Sequence, residues 1–75
     1  MIKFKINVIE EMTKKGYSTA RIRREKLLSE STLQKLRSNG NITTDSLNTI
    51  CCILRLQPSD IIECEYTNEE KIKYF

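Results

Sequence analysis

The sequence predicts a small all-helical domain whose N- and C-terminal ends pair as a short two-stranded ribbon. Apolar residues Leu47, Ile50, Cys51 and Leu54 fall at i, i+3, i+4 and i+7, which places them on one face of a helix. Serine or threonine residues stand where helix N-caps are needed. Turn signals at Gly16, residues 38–41 and Pro58 divide the chain into helical segments.

The two ends of the chain carry an alternating pattern. Residues 2–8 and residues 62–66 alternate apolar and polar side chains, which favours strands. From Lys5 onward a helix fits equally well, so the first helix is expected to begin at Lys5 or Asn7. The pattern therefore predicts a ribbon between the ends and leaves the start of the first helix open.

Three helices are expected in the first half of the chain. The first ends near Gly16, because glycine readily adopts the left-handed conformation that terminates helices. Ser18 is the predicted N-cap of a second helix over residues 19–25. Ser29 is the predicted N-cap of a third helix over residues 30–38.

The second half contains the strongest helical pattern. Thr43 or Thr44 is expected to cap a fourth helix that carries the apolar stripe between Leu47 and Leu54. Pro58 suits the first position of a short fifth helix. The tail, residues 64–75, is compatible with a last helical turn, a frayed end or a contact for a partner.

Length and composition argue against an enzyme. Seventy-five residues form one domain and leave little room for a catalytic cleft. The sequence has no histidine and no CxxC pattern, so we expect no metal and no cofactor. Its three cysteines are interpreted as reduced, small apolar residues. Without a long apolar run or a signal peptide, the protein is expected in the cytoplasm and away from membranes.

Positive charge is concentrated in the first half of the chain. Residues 1–40 carry ten Lys or Arg and four Asp or Glu, whereas residues 41–75 carry three and six. This asymmetry is expected if the first half of the chain binds a polyanion. A helix surface that is merely exposed to solvent would carry the same charges. The segment 18–38 favours the first interpretation, because two short helices joined by a short turn cross steeply. One can then lie across a phosphate backbone while the other enters the major groove.

The sequence resembles a known family at this point. Residues 16–63 resemble the phage-repressor type of helix-turn-helix (HTH) domain, the Cro/CI or XRE family, and especially short stand-alone members from Gram-positive bacteria and their mobile elements. The matching stretches are Gly-Tyr-Ser-Thr at 16–19, Ser-Glu-Ser-Thr-Leu-Gln-Lys-Leu-Arg at 29–37, Asn-Ile-Thr-Thr-Asp-Ser-Leu at 41–47, and Ile-Cys-Cys-Ile-Leu-Arg-Leu-Gln-Pro-Ser-Asp-Ile-Ile-Glu at 50–63. The resemblance implies a five-helix lambda-repressor-like fold. It makes residues 1–75 one domain with its core in 5–63, its HTH unit in 18–38 and its tail in 64–75.

Two residues depart from the family pattern. Arg23 stands where a small alanine is usual in the second helix, and Leu27 stands where glycine is usual in the turn. Glycine permits a positive φ without steric cost, so the turn is expected to have a different shape, with Leu27 outside the left-handed region. Arg23 is compatible with an inward or an outward direction.

The resemblance also implies which residues contact DNA. The base contacts it implies are Glu30, Ser31, Thr32 and Lys35, at the start of the recognition helix. Gln34 is a weaker candidate, because it flanks the inward Leu33. The phosphate contacts it implies are Ser18, Thr19, Arg21, Arg24, Lys26, Arg37, Ser38 and Asn39.

The function expected from the sequence is binding of double-stranded operator DNA by a transcription regulator, most simply a bacterial repressor. A homodimer would have to form through the fourth or fifth helix or the tail, where Ile72, Tyr74 and Phe75 supply apolar surface. A monomer that pairs only on DNA is equally compatible, and no small-molecule ligand is expected. The alternative function is a protein-interaction module on the same fold, of the antitoxin or anti-repressor type.

Overall fold

The computed structural model describes all 75 residues and contains six helices and one two-stranded antiparallel ribbon. The elements in chain order are β1 (Ile2–Phe4), α1 (Val8–Lys14), α2 (Thr19–Arg24), α3 (Glu30–Ser38), α4 (Thr44–Leu54), α5 (Pro58–Ile61), β2 (Ile62–Cys64) and α6 (Asn68–Tyr74). This architecture confirms the predicted fold class. The tail, whose structure the sequence left open, forms the sixth helix.

Five helices begin at a polar side chain that accepts a hydrogen bond from the backbone amide three residues later. These N-caps are Asn7, Ser18, Ser29, Thr43 and Thr67. Such a cap satisfies one of the amides that the first helical turn leaves without a partner, and it stabilises a helix by about 1 kcal/mol. The caps expected at Ser18 and Ser29 are confirmed, and Thr43 is the cap of α4.

The ribbon determines where α1 begins. β1 pairs antiparallel with β2, with Phe4 opposite Ile62. The backbone N–H of Lys5 extends this pairing by donating to the carbonyl of Ile61 at 2.8 Å. Lys5 is therefore tied to the ribbon and α1 starts only after Asn7, the later of the two expected starting points.

Nine apolar residues form the core, and no polar or charged residue is buried with them. They are Val8, Met12, Ile22, Leu28, Leu33, Leu36, Ile50, Leu54 and Ile61. α1 lies at the centre of the bundle and packs against both α3 and α4. Burial of each large side chain stabilises the fold by about 1.5–3 kcal/mol, so this single cluster fixes the positions of α1–α5. None of the helices combines the length and apolar character that crossing a membrane would require.

The first four helices end in the same way. A residue with positive φ follows each helix, and these residues are Gly16, Lys26, Asn39 and Arg55. The amide of the next residue then donates to the carbonyl five residues earlier, at 2.8–3.2 Å. This is the Schellman pattern, which satisfies carbonyls at the end of a helix and reverses the chain direction. Only the first of the four positions is occupied by glycine.

The turn between α2 and α3 has its left-handed residue at Lys26, with φ 55°, and Leu27 lies outside that region as expected. The Leu27 amide donates to the carbonyl of Ile22 at 3.0 Å. α2 therefore ends in a tight turn without glycine. The residue with positive φ is Lys26, one position before Leu27, where the family usually has glycine.

We expect Arg55→Gly to raise the free energy of unfolding by roughly 1 kcal/mol. A non-glycine residue in the left-handed region costs about 1–2 kcal/mol, and part of this gain is offset by the greater freedom of glycine in the unfolded chain. Urea denaturation measures the difference. Gln34→Gly, at an exposed position inside α3, is the control and should lower the free energy by about 1 kcal/mol. Equal destabilisation by both variants would contradict the role assigned to the Arg55 backbone.

Candidate nucleic-acid interface

Burial of three side chains fixes the relation between α2 and α3. Ile22 from α2 and Leu33 from α3 are completely buried, and Leu28 from the connecting turn is buried in the same cluster. The five residues 25–29 join the two helices. A turn this short, with its own side chain in the core, holds the helices in one relative orientation.

The outward face of α3 is polar. Leu33 and Leu36 point into the core, so the opposite side of the helix carries Ser31, Lys35 and Ser38 at i, i+4 and i+7. All three are exposed. Ser31 and Lys35, two of the four expected base contacts, therefore lie together on this exposed polar face.

Glu30 lies on a different side of α3 and is already paired. Its carboxylate accepts two hydrogen bonds from Arg23 of α2, from Nε at 2.6 Å and from Nη2 at 2.9 Å. Arg23 thus points outward, which settles the direction that the sequence left open. The hydrogen bonds from Arg23, with a smaller contribution from the charge of Arg37, hold the pKa of Glu30 below its usual value.

Thr32 is turned towards α4. Its side chain is half-buried, and its Oγ1 lies 2.9 Å from Ser29 Oγ and 3.4 Å from Ser46 Oγ. The three hydroxyls link the N-cap of α3 to the first turns of α4. The Thr32 hydroxyl is therefore less available to a base edge than expected from the sequence.

The expected phosphate contacts differ in how much of their charge is already paired. Arg24, Lys26 and Arg37 are exposed and form no ion pair with any carboxylate. Arg21, by contrast, donates to Glu25 at 2.5 Å and to the carbonyl of Gly16 at 3.1 Å. Its guanidinium also lies 4.1 Å from the centre of the Tyr17 ring.

The remaining expected phosphate contacts are polar side chains with local partners. Ser18 Oγ accepts from the Arg21 amide at 3.2 Å, and Ser38 Oγ donates to the Gln34 carbonyl at 3.0 Å. Asn39 Oδ1 accepts from the Phe4 amide at 3.2 Å, which ties the end of α3 to the ribbon. Thr19 is half-buried as the first residue of α2.

Four cations without an ion pair lie on α2, on α3 and in the turn between them. Lys35 joins the three unpaired cations at positions 24, 26 and 37, because it also forms no ion pair. Lys3 and Lys14, in contrast, are each paired with two glutamates. Five further cations, Lys5, Lys15, Arg55, Lys71 and Lys73, also form no ion pair, so the feature of α2 and α3 is that four such cations fall within residues 24–37.

All three cysteines are free thiols. Cys51 is half-buried against the core, and burial raises its pKa. Cys52 and Cys64 are exposed, which differs from the small apolar role expected of them. Neither of these two lies on the α2–α3 surface.

The HTH class of DNA-binding domain is defined by two capped helices that cross at a short turn, the second of which presents a polar outer face. The sequence matches the family model of the Cro/C1-type HTH DNA-binding domain over residues 7–66, and the chain belongs to this family. No curated protein and no solved structure matches the chain. Membership confirms the family resemblance and makes the protein a DNA-binding transcription regulator of a kind that is typically not enzymatic.

Two residues next to the expected contacts lie in surroundings that the sequence does not indicate. Arg23 was noted only as a departure from the family, yet its guanidinium joins α2 to the first residue of α3. Opposite charges at positions 23 and 30, one on each side of a short turn, were the available signal. Gln34, the weaker base candidate beside the inward Leu33, has an exposed side chain.

We expect Arg23→Ala to raise the pKa of Glu30 towards its ordinary value, because the hydrogen bonds from Arg23 are the main cause of the lowered pKa. NMR titration of the Glu30 carboxyl group measures this change. Arg24→Ala is the matched control and should leave the titration unchanged. A depressed folded-state pKa stabilises the fold above pH 4.5, and this contribution is lost as the pH falls through the folded value. An unchanged Glu30 pKa in Arg23→Ala would contradict the pairing.

Proposed function

We propose that this protein is a bacterial repressor that binds operator DNA with α3 in the major groove and α2 across the phosphate backbone. The observation that carries the proposal is the set of four unpaired cations around an outward polar helix face. Release of counterions from neutralised phosphates supplies affinity for any duplex, and contacts to base edges supply sequence preference. The same role places the protein in the cytoplasm.

The base contacts we propose begin with Ser31 and Lys35. Both are exposed on the outward face of α3, one helical turn apart. Lysine can donate to O6 and N7 of guanine, and serine can donate or accept at any base edge. Thr32 is a secondary contact, because its hydroxyl already lies close to Ser29 and Ser46. Glu30 reaches the groove only together with the Arg23 side chain that holds it.

The phosphate contacts we propose are led by Arg24, Lys26 and Arg37, whose charges are unpaired. Arg21 contributes charge while its guanidinium stays bound to Glu25 and Gly16. Ser18, Thr19, Ser38 and Asn39 are proposed to supply weaker polar contacts at the ends of α2 and α3. The strand would thus be held at both sides of the α3 outer face.

Salt dependence separates DNA binding from the alternative, a protein-interaction module of the antitoxin or anti-repressor type. The logarithm of the DNA association constant should fall linearly with the logarithm of salt concentration, with a slope of about −0.9 for each phosphate contacted. A protein-interaction module would have little affinity for duplex DNA at any salt concentration. Fluorescence anisotropy with labelled duplexes, selected beforehand from a random pool, makes the measurement.

Lys35→Ala and Arg37→Ala should affect this binding differently. Lys35→Ala should cost ~1–3 kcal/mol on the selected sequence and little on random DNA, because it removes a base contact. Arg37→Ala should weaken all sequences about equally and flatten the salt slope by about 1, because it removes a phosphate contact. Anisotropy titrations on both duplexes measure each effect. Identical behaviour of the two variants on selected and random DNA would overturn the role of α3.

We further propose that two copies bind together through α6. The side chains of Ile72, Tyr74 and Phe75 are 84%, 72% and 78% exposed, although the Phe75 ring packs edge-on against Tyr66 with ring centroids 5.1 Å apart, so most of the apolar surface at the end of the chain is open to a partner. The helix is acidic in its first turn and basic in its last turn. An antiparallel pair of α6 helices related by a two-fold axis would therefore bring opposite charges together at both ends. Such a dimer suits paired half-sites about one DNA turn apart.

Ile72→Glu should shift the protein from dimer to monomer in sedimentation velocity experiments, because it puts a charge into the proposed apolar contact. Asn48→Glu, at an exposed position of α4, is the control and should leave the dimer intact. If Asn48→Glu dissociates the dimer and Ile72→Glu does not, the interface lies on α4 instead of α6. A wild-type chain that is monomeric both free and on a two-site duplex would end the dimer proposal.

A further inference from the structure

We propose that Arg23, oriented by Glu30, recognises a guanine at the edge of the site contacted by α3. This inference rests on the proposed function, since it needs α3 in the major groove. Neither residue has this role in the family pattern, where position 23 is a small alanine. The evidence is the geometry of one side-chain pair.

The Arg23–Glu30 pair uses only one edge of the guanidinium. Nε and Nη2 of Arg23 donate to the two carboxylate oxygens of Glu30 at 2.6 Å and 2.9 Å. A guanidinium carries five N–H donors in a fixed plane, so this side-on arrangement uses two of them. The other three, on Nη1 and Nη2, have no acceptor in the protein, and two of them, one on each Nη, form the end-on edge of the guanidinium.

Both residues of the pair stand beside the turn between α2 and α3, and their side chains are 44% and 56% exposed. Glu30 is the first residue of α3, directly after the Ser29 cap, and Arg23 lies in the last turn of α2. An open cleft of about 490 Å³ lies beside them and is lined by Arg23, Lys26, Leu28, Ser29 and Glu30. The pair therefore places the unused donors at the N-terminal end of α3, beside open space for a base edge.

The carboxylate decides which acceptor suits this edge. A phosphate would bring a second negative charge close to Glu30, and the two anions would repel each other. A guanine offers O6 and N7, two neutral acceptors that an arginine fork matches with two parallel hydrogen bonds. Since the Arg23–Glu30 pair has no net charge, the pair itself favours a base edge, and the unpaired Lys26 that lines the same cleft is left for a phosphate.

Arg21 provides an internal comparison. Its Nε and Nη1 both donate within the protein, to Glu25 and Gly16, and its guanidinium lies over the Tyr17 ring. Arg21 is therefore held by several contacts within its own part of the chain. Arg23 has a single partner, and that partner sits at the start of α3.

The test is a selection of binding sites from random duplex DNA by the wild-type chain and by three variants. The wild-type site should contain a guanine preferred about 5- to 150-fold, the discrimination of one bidentate contact. Arg23→Ala and Arg23→Lys should both lose this preference, because lysine keeps the charge but lacks the fork. Arg24→Ala, the control, should weaken all sequences equally and retain the guanine.

A second measurement tests the positioning role of Glu30. Glu30→Gln should reduce the preference for this guanine severalfold and leave the preferences at other positions unchanged. Replacing the guanine by 7-deazaguanine, which lacks the N7 acceptor, should weaken binding of the wild-type chain and have no effect on Arg23→Ala. This dependence on one atom of the DNA would not arise from a purely structural role of the pair.

The outcomes distinguish the inference from the proposed function. If the wild-type chain selects no sequence, the proposed function fails. If the chain selects a site and Arg23→Ala keeps every preference, the proposed function stands and the inference is overturned. If Arg23→Ala lowers the affinity for all sequences equally and flattens the salt slope by about 1, Arg23 contacts a phosphate, and the inference is also overturned.

Discussion

The surface formed by α2 and α3 depends on the burial of Ile22, Leu28 and Leu33 in one cluster. Two of these residues come from the helices and the third from the turn between them, so the core fixes both the helices and their connection. A close-packed interior tolerates little rotation of either helix. The positions of the outward side chains, including Ser31 and Lys35, are therefore consequences of apolar packing on the opposite face.

Backbone geometry adds a second constraint, and it does so largely without glycine. The αL residues that end α2, α3 and α4 are Lys26, Asn39 and Arg55. Each costs conformational energy, which the following Schellman hydrogen bond and the burial of neighbouring apolar side chains offset. At Lys26 this arrangement puts an unpaired cation at the turn, next to the start of α3. A glycine there would relax the backbone but remove a charge from the surface.

Much of the fold could be predicted because its signals are local. The caps at Ser18 and Ser29, the apolar stripe on α4 and the proline of α5 each specify a helix through nearby residues. The pairing of the chain ends was also predicted from their alternating pattern. α6 has no buried residue, so no apolar stripe predicts it, and its start is marked by the reciprocal hydrogen bonds of Thr67 and Glu70 and by the bond from the Lys71 amide to the Thr67 carbonyl.

The side-chain partners at the candidate site could not be predicted in the same way, because they depend on distances between elements. Thr32 and Ser46 are separated by fourteen residues in the sequence but their hydroxyl oxygens lie 3.4 Å apart. Arg23 and Glu30 are joined across the turn, which no helical periodicity would indicate. Such contacts change what each residue can offer to DNA. Glu30 alone would be an anion facing a polyanion, whereas Glu30 with Arg23 is a neutral pair that still has donors to spare. The chemistry of the surface is therefore a property of these pairs rather than of single residue types.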